Sequence, residues 1–102
     1  MNEDLDIRKR KAFGAFLRDK RISLKFSVRK ASRLINIPFG VYASIERGEK
    51  VKIRMSMLSA AANLYSVPVD ELCAMCERVP QDVFYKIIRN PELLAIVRAY
   101  EN

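Results

Sequence analysis

The sequence predicts an all-α protein of seven helices. Apolar side chains recur at three- and four-residue spacing along most of its 102 residues, which is the period of helices that bury one face. Residues suited to cap helices or to open their first turn separate these stretches, and neither an internal repeat nor a Pro-, Gly- or Ser-rich linker interrupts them. Half of the residues are apolar, so the chain can bury the core of one domain.

The first helix is predicted from about Ile7 to Lys20. Phe13, Phe16 and Leu17 form one apolar stripe there on an otherwise charged rod. Residues 1–6, which precede this helix, are expected to form a flexible N-terminus.

The next two predicted helices are short and are joined by a tight turn. Ser27 can cap the second helix, and Asn36 tolerates the left-handed conformation that often follows a helix end. Pro38 can open the third helix, which is expected to stop at Gly48. The apolar stripe of the second helix is Val28, Ala31, Leu34 and Ile35, and the inward side of the third is Ile37, Tyr42 and Ile45.

Four more helices are predicted after a basic loop at residues 49–54. The fifth helix is expected over residues 68–77 and the sixth over residues 80–89. Residues 90–92 (NPE) supply a cap, a first-turn proline and an acid that suits the helix dipole, so they begin the last helix. The fourth helix is predicted from the apolar residues Met57, Leu58, Ala61, Leu64 and Tyr65.

Positive charge is concentrated in the first half of the chain. Residues 1–54 hold 15 basic and 6 acidic side chains, whereas residues 55–102 hold 4 and 6. Such an asymmetry favours a polyanionic partner, nucleic acid before membrane, although a surface charged for solubility would look similar. With neither a secretory signal nor a stretch long enough to span a bilayer, the chain is expected to be cytoplasmic.

Enzymatic chemistry is not expected. The chain has no histidine, and neither a nucleophile–base arrangement nor a Gly-rich phosphate loop occurs in it. Cys73 and Cys76 lie in a predicted helix and offer two of the four ligands that zinc prefers, so we expect reduced, largely buried thiols, no metal and no cofactor. Pooling of ligands in a dimer and sensing of oxidants are the alternatives for this pair.

Four short motifs occur in a register that identifies a resemblance. They are residues 13–21 (FGAFLRDKR), 27–32 (SVRKAS), 45–48 (IERG) and 64–72 (LYSVPVDEL). The segment from Phe13 to Leu72 thereby resembles the helix-turn-helix domain of phage repressor and Cro proteins, the xenobiotic-response-element class of bacterial regulators. The resemblance implies a five-helix repressor-like bundle, to which the two C-terminal helices are additional.

The resemblance also implies roles for individual residues. Arg21 is expected to form an ion pair with Glu46, and the third helix is expected to enter the major groove of DNA. The implied base contacts are Phe39, Gly40, Val41 and Ser44. The implied backbone contacts are Ser27, Val28, Arg29, Lys30, Arg33, Arg47, Lys50, Lys52 and Arg54. Phe39 and Val41 depart from the usual polar readers, and Val28 replaces a common phosphate-binding Gln, so direct readout of sequence is expected to be limited.

These observations predict a transcriptional regulator, a repressor, that binds double-stranded operator DNA as a homodimer. Residues 7–77 would form the DNA-binding domain and residues 78–102 the dimerisation region. The expected dimer contacts are Val83, Phe84, Ile87, Leu93, Leu94, Val97 and Tyr100, unless the last helices form a lid on the core instead. The alternative function is an antitoxin-like or anti-repressor module that uses the same fold to hold a protein partner.

Overall fold

The computed structural model of this protein describes residues 6–79 and 81–100, except for the side chain of Gln81. In that part of the chain it has no strand and seven helices: α1 (Ile7–Ser23), α2 (Val28–Ile35), α3 (Phe39–Glu46), α4 (Met55–Tyr65), α5 (Val69–Met75), α6 (Gln81–Arg89) and α7 (Pro91–Ala99). The all-α fold, five helices followed by two more, is confirmed. The predicted flexible residues 1–5, the predicted helix start at Pro80 and the terminal residues 101–102 lie outside the described residues.

Side-chain caps and left-handed residues set the helix ends. The carboxylate of Asp6 accepts hydrogen bonds from the backbone N–H groups of Arg8 and Lys9, at 2.7 and 3.2 Å, and so caps α1. Ser27 caps α2 in the same way, through the N–H of Lys30 at 3.0 Å. Asn36 follows α2 with φ 68°, which turns the chain sharply toward α3.

One core lies among α1 to α5. α1 packs on α3 and α5, α2 packs on α3 and α4, and α4 packs on α5. Burial of each large apolar side chain there stabilises the fold by about 1.5–3 kcal/mol. The largest fully buried side chains are Phe13, Leu17, Tyr42, Leu58, Leu72 and Cys73.

The predicted apolar stripe of α2 is wrong at one position. Leu34 is 49% exposed, whereas Ser32 is 4% exposed. The core side of this eight-residue helix passes through Ala31, Ser32 and Ile35, and Leu34 lies beside that line. The hydroxyl of Ser32 is satisfied within the helix, because it donates to the carbonyl of Arg29 at 2.9 Å.

α1 and α3 cross in close contact at Gly14. A Cβ atom at this position would lie 2.4 Å from the carbonyl oxygen of Ile45 and 2.5 Å from that of Glu46. Only glycine therefore allows the backbone of α1 to approach the end of α3 this closely.

α6 and α7, together called the C-terminal arm, pack on each other and extend away from the core. The protein measures 46 × 25 × 21 Å and has a radius of gyration of 15.0 Å, compared with about 13 Å for a compact domain of this length. Ile87 and Leu94 are half-buried, and every other described side chain of the arm is exposed. The alternative of a lid over the core does not describe this structure.

Contacts with the core fix the segment that leads into the arm. Lys9 of α1 forms an ion pair with Glu77, and the guanidinium of Arg78 donates to the carbonyl of Ile53. The chain therefore leaves the core at a defined point, next to the loop that precedes α4.

Cys73 and Cys76 are buried free thiols in the last turn of α5 and at its cap. Burial raises the pKa of Cys76 to about 12, so its thiol is protonated at neutral pH. The thiol of Cys73 points to the sulfur of Met55, at 3.9 Å.

None of the helices that the structure describes has the length and hydropathy of a membrane-spanning segment.

Candidate nucleic-acid interface

α2, the turn after it and α3 form a compact two-helix unit. The N–H of Ile37 donates to the carbonyl of Ser32 at 3.0 Å, which closes the turn on the end of α2. Tyr42 and Ile45 are buried on one side of α3. The opposite side of the helix is exposed in the first turn and half-buried at Ser44.

This exposed face of α3 consists of Phe39, Gly40, Val41 and Ser44. Phe39 is 44% and Val41 36% exposed, and Ser44 is half-buried. A Cβ atom at Gly40 would have no neighbour within 4 Å, so the middle of the face is flat and open. The face offers two apolar side chains and one hydroxyl, and at Gly40 another molecule can approach the helix backbone closely.

A bidentate ion pair holds α3 against α1. Arg21 Nε donates to Glu46 Oε2 at 2.7 Å, and a terminal nitrogen of Arg21 donates to Glu46 Oε1 at 2.9 Å. The other terminal nitrogen donates to the carbonyl of Phe26 at 2.9 Å, which ties in the segment before α2. The hydrogen bond to Glu46 raises the pKa of Arg21, so the guanidinium stays charged. This is the pair that the resemblance implies.

A second buried contact, which the sequence analysis did not find, links α3 to α4. The hydroxyls of Tyr42 and Tyr65 lie 2.6 Å apart and form a hydrogen bond in the core. Burial is the main reason that the pKa values of both phenols are raised. Tyr42 is fully buried behind the exposed face, so α3 is anchored from two directions.

The first turns of α2 and α3 meet through a cation–π contact. The guanidinium carbon of Arg29 lies 4.5 Å from the centre of the Phe39 ring. Phe39 is therefore held at the front of α3 rather than packed under the loop, and Arg29 is drawn to the same end of the two-helix unit.

Polar contacts organise the other end of the exposed face. Arg47 Nε donates to Glu49 Oε2 at 2.7 Å, and a terminal nitrogen of Arg47 donates to the hydroxyl of Ser44 at 3.3 Å. Gly48, with φ 77°, ends α3 in a left-handed conformation and sends the chain into the basic loop. The carbonyl of Gly48 accepts a hydrogen bond from Arg10 of α1 at 3.0 Å, which fixes the start of this loop.

Comparison with known proteins identifies the family. A helix-turn-helix family model, of the Cro/C1 type, matches residues 17–72, which span α2, the turn and α3 together with parts of the core around them. The chain belongs to the helix-turn-helix family. It is therefore a DNA-binding regulator of transcription, with α3 in the place of the recognition helix.

Two solved structures share the fold of this helix-turn-helix protein. Both are of the clp gene regulator ClgR from Corynebacterium glutamicum and are 20% identical in sequence. One match covers 68% of this chain and 88% of that chain with a TM-score of 0.54. The other covers 87% of this chain and 88% of that chain with a TM-score of 0.56. The sequence matches none of the curated proteins.

Exposed cations precede and follow the recognition helix along the chain. Arg29, Lys30 and Arg33 are exposed on α2, which precedes α3. The basic loop after α3 carries the second group, and its members Lys50, Lys52 and Arg54 are also exposed. The helix-turn-helix unit therefore presents positive charge before and after the exposed face of α3.

Ser27 and Val28, two of the residues assigned to the DNA backbone, use their side chains to stabilise the fold. The hydroxyl of Ser27 accepts the capping hydrogen bond of α2, and Val28 is half-buried and packs against the core. Their backbone N–H groups at the first turn of α2 are the groups suited to a phosphate.

Arg18 is a residue that the sequence analysis missed. It lines a shallow hollow between α1 and the helix-turn-helix unit, together with Val28, Ala43, Glu46 and Arg47. A signal for it exists in the sequence, because Arg18 precedes Arg21 by three residues and so lies near it on the surface of α1. The hollow brings a third cationic element next to α2 and α3.

Proposed function

We propose that this chain is a transcriptional repressor of the xenobiotic-response-element class, which binds operator DNA as a homodimer in the cytoplasm. The observation that carries the proposal is the exposed face of α3, which two buried contacts hold from behind and which exposed cations precede and follow along the chain. A helix with these surroundings fits the major groove, while side chains next to it reach the two phosphate backbones. Repression follows because a bound domain excludes other proteins from its site.

In this proposal α3 reads bases mainly by shape and apolar contact. Phe39 and Val41 would contact thymine methyl groups, Ser44 would supply a hydroxyl, and Gly40 would let the helix approach the base edges. Few hydrogen bonds are available, so phosphate contacts would supply most of the affinity. The proposed backbone contacts are Ser27, Val28, Arg29, Lys30, Arg33, Arg47, Lys50, Lys52 and Arg54.

The dimer would form through the C-terminal arm. The arm is nearly neutral, with three basic and two acidic side chains, and seven of its large apolar side chains are exposed. Clustered exposed apolar residues are typical of protein–protein interaction sites. Two-fold pairing would place two recognition helices about 34 Å apart, one turn of the duplex. The proposed contacts are Val83, Phe84, Ile87, Leu93, Leu94, Val97 and Tyr100.

Selection of duplexes from a random library, followed by salt titration, tests this function. We expect a palindromic consensus whose half-sites are about one helical turn apart. The Lys52→Ala variant should weaken binding to all duplexes alike and reduce the salt slope by about 0.9, since Lys52 would meet a phosphate. Ser44→Ala should instead change the preference at particular bases.

An antitoxin-like or anti-repressor function is the second candidate. Phe39 and Val41 are apolar and exposed where a DNA reader usually carries polar groups, which is the observation that favours it. Weak binding without sequence preference, lost near physiological salt, would support this candidate and contradict the proposed repressor.

A further inference from the structure

Glu49 is an unusual charge for its position. Residues 20–69 contain ten basic side chains and two acidic ones, Glu46 and Glu49. Glu46 is buried in its ion pair with Arg21, at 7% exposure, so Glu49 is the only exposed carboxylate of this segment. It lies immediately after the recognition helix, where a negative charge repels the phosphates of any duplex.

The fold turns this carboxylate back toward the exposed face of α3. The N–H of Glu49 donates to the carbonyl of Ser44 at 3.0 Å, so the backbone of Glu49 is fixed to the last turn of the helix. Its side chain accepts from Arg47 at 2.7 Å, and Arg47 in turn donates to the hydroxyl of Ser44. Two side chains with proposed DNA contacts are therefore joined to Glu49.

The carboxylate is ionised whenever the protein meets DNA at neutral pH. Hydrogen bonds from Arg47 and then from Ser44 lower the pKa of Glu49 below its ordinary value. Arg47 accordingly has an ionic partner within the free protein, and a phosphate must compete with that partner.

We propose that Glu49 is a positioning residue that increases the preference of the protein for its operator over other DNA. This inference rests on the proposed function. On DNA of unrelated sequence Arg47 would contribute to binding only through its positive charge. Because Glu49 neutralises that charge, the pair would release no counterion from the DNA and would add no affinity there. On the operator Arg47 and Ser44 need defined positions, and the contacts to Glu49 hold them there before binding, which lowers the entropic cost of ordering them.

The test compares two duplexes, the one selected from a random library and a scrambled duplex of equal length. Glu49→Gln keeps the shape of the side chain and removes its charge. We expect its affinity for the scrambled duplex to rise about eightfold at 0.1 M salt, with a salt slope steeper by about 0.9, because Arg47 becomes free to meet a phosphate. Affinity for the selected duplex should rise less, so the ratio of the two affinities falls.

Two further variants separate positioning from net charge. Glu71→Gln removes another exposed carboxylate, from α5, and we expect it to leave the salt slope and the affinity ratio nearly unchanged. In a chain that already carries Arg47→Ala, Glu49→Gln should no longer steepen the salt slope. Thermal unfolding of Glu49→Gln should be nearly the same as that of the unaltered chain, since exposed ion pairs contribute little to stability.

Three results would overturn the inference. Equal effects of Glu49→Gln and Glu71→Gln would show that only net charge matters, and an unchanged or higher affinity ratio in Glu49→Gln would exclude a role in operator preference. A slope change that persists in the Arg47→Ala background would show that Glu49 does not act through Arg47. If the unaltered chain binds neither duplex at low salt, the proposed function itself fails; if it binds both and only the variants disagree, the function stands and the role of Glu49 falls.

Discussion

Arg21 and Glu46 are the two side chains on which the position of α3 depends most directly. Their side chains are 12% and 7% exposed, and both carboxylate oxygens of Glu46 are bonded to Arg21. Removal of one partner leaves a buried charge with no counterion, which costs far more than the intact pair gains. The contact is therefore a source of sensitivity to mutation rather than a large source of stability.

Arg21→Ala is expected to lower the free energy of unfolding by about 3–5 kcal/mol, because the Glu46 carboxylate stays buried without a partner. Urea denaturation followed by circular dichroism measures this loss. The double variant Arg21→Met with Glu46→Leu should lose less than Arg21→Ala alone, since no charge is then left unpaired. A loss no greater than that of Arg8→Ala, which alters an exposed arginine of the same helix, would contradict the prediction.

At the scale of elements, α3 and α4 are joined by the hydrogen bond between Tyr42 and Tyr65. The pKa of Tyr42 is raised well above its ordinary value of 10.0, mainly by burial. Above pH 10 the unfolded chain loses the phenolic proton of Tyr42, whereas the folded chain keeps it because its pKa is higher. The folded state therefore binds more protons than the unfolded state. Stability must then fall as pH rises.

The free energy of unfolding is accordingly expected to fall by about 1.4 kcal/mol for each pH unit above about 10 on account of Tyr42 alone. Cys76 acts in the same direction from about pH 9, since its pKa is also raised. Denaturant titrations from pH 8 to pH 11 would measure the slope. Tyr42→Phe, which lacks the ionisable group, should give a shallower slope than the unaltered chain; equal slopes would contradict the assignment.

Local patterns predicted most of the elements, because their causes lie within a few residues. The Ser27 cap, the left-handed Asn36 and the end of α3 at Gly48 are each decided by one turn of chain. The Arg21–Glu46 pair was accessible for a different reason, namely the resemblance of two motifs in fixed register.

Other features depend on how helices rotate and pack, which no local pattern contains. Leu34 is exposed rather than part of the buried stripe because α2 is too short for its apolar spacing to determine its orientation. The Tyr42–Tyr65 contact joins residues 23 positions apart, and either tyrosine alone reads only as an apolar residue of its helix. Glu49 lies against the last turn of α3 because the left-handed Gly48 turns the backbone there, and the charge pattern of the loop does not indicate this position.

At the scale of the whole molecule, the core and the C-terminal arm differ in charge. The core with its helix-turn-helix unit carries the positive charge, whereas the C-terminal arm exposes apolar side chains and stands apart from that core. Association through the arm would leave both recognition helices free. Disruption of the arm should therefore change the oligomeric state without unfolding the core.

Val97→Asp is expected to convert the proposed dimer to a monomer, because it buries a charge in the interface. Sedimentation equilibrium over a range of concentrations measures this. Ile22→Asp on α1 is the matched control: its side chain is 51% exposed, compared with 52% for Val97, and the dimer should persist. A concentration-independent monomer for the unaltered chain would refute the dimer, and dissociation by Ile22→Asp as well would place the interface elsewhere.

The open space beside Gly40 also bears on how such a protein diverges. Gly14 is required by a crossing of helices, but no atom of the fold stands where a side chain at position 40 would begin. Mutation there can add a new group at the centre of the proposed DNA-facing surface while leaving the interior intact. If α3 reads operator bases as proposed, a duplicated gene can acquire different targets through this one codon, without first accumulating stabilising changes elsewhere.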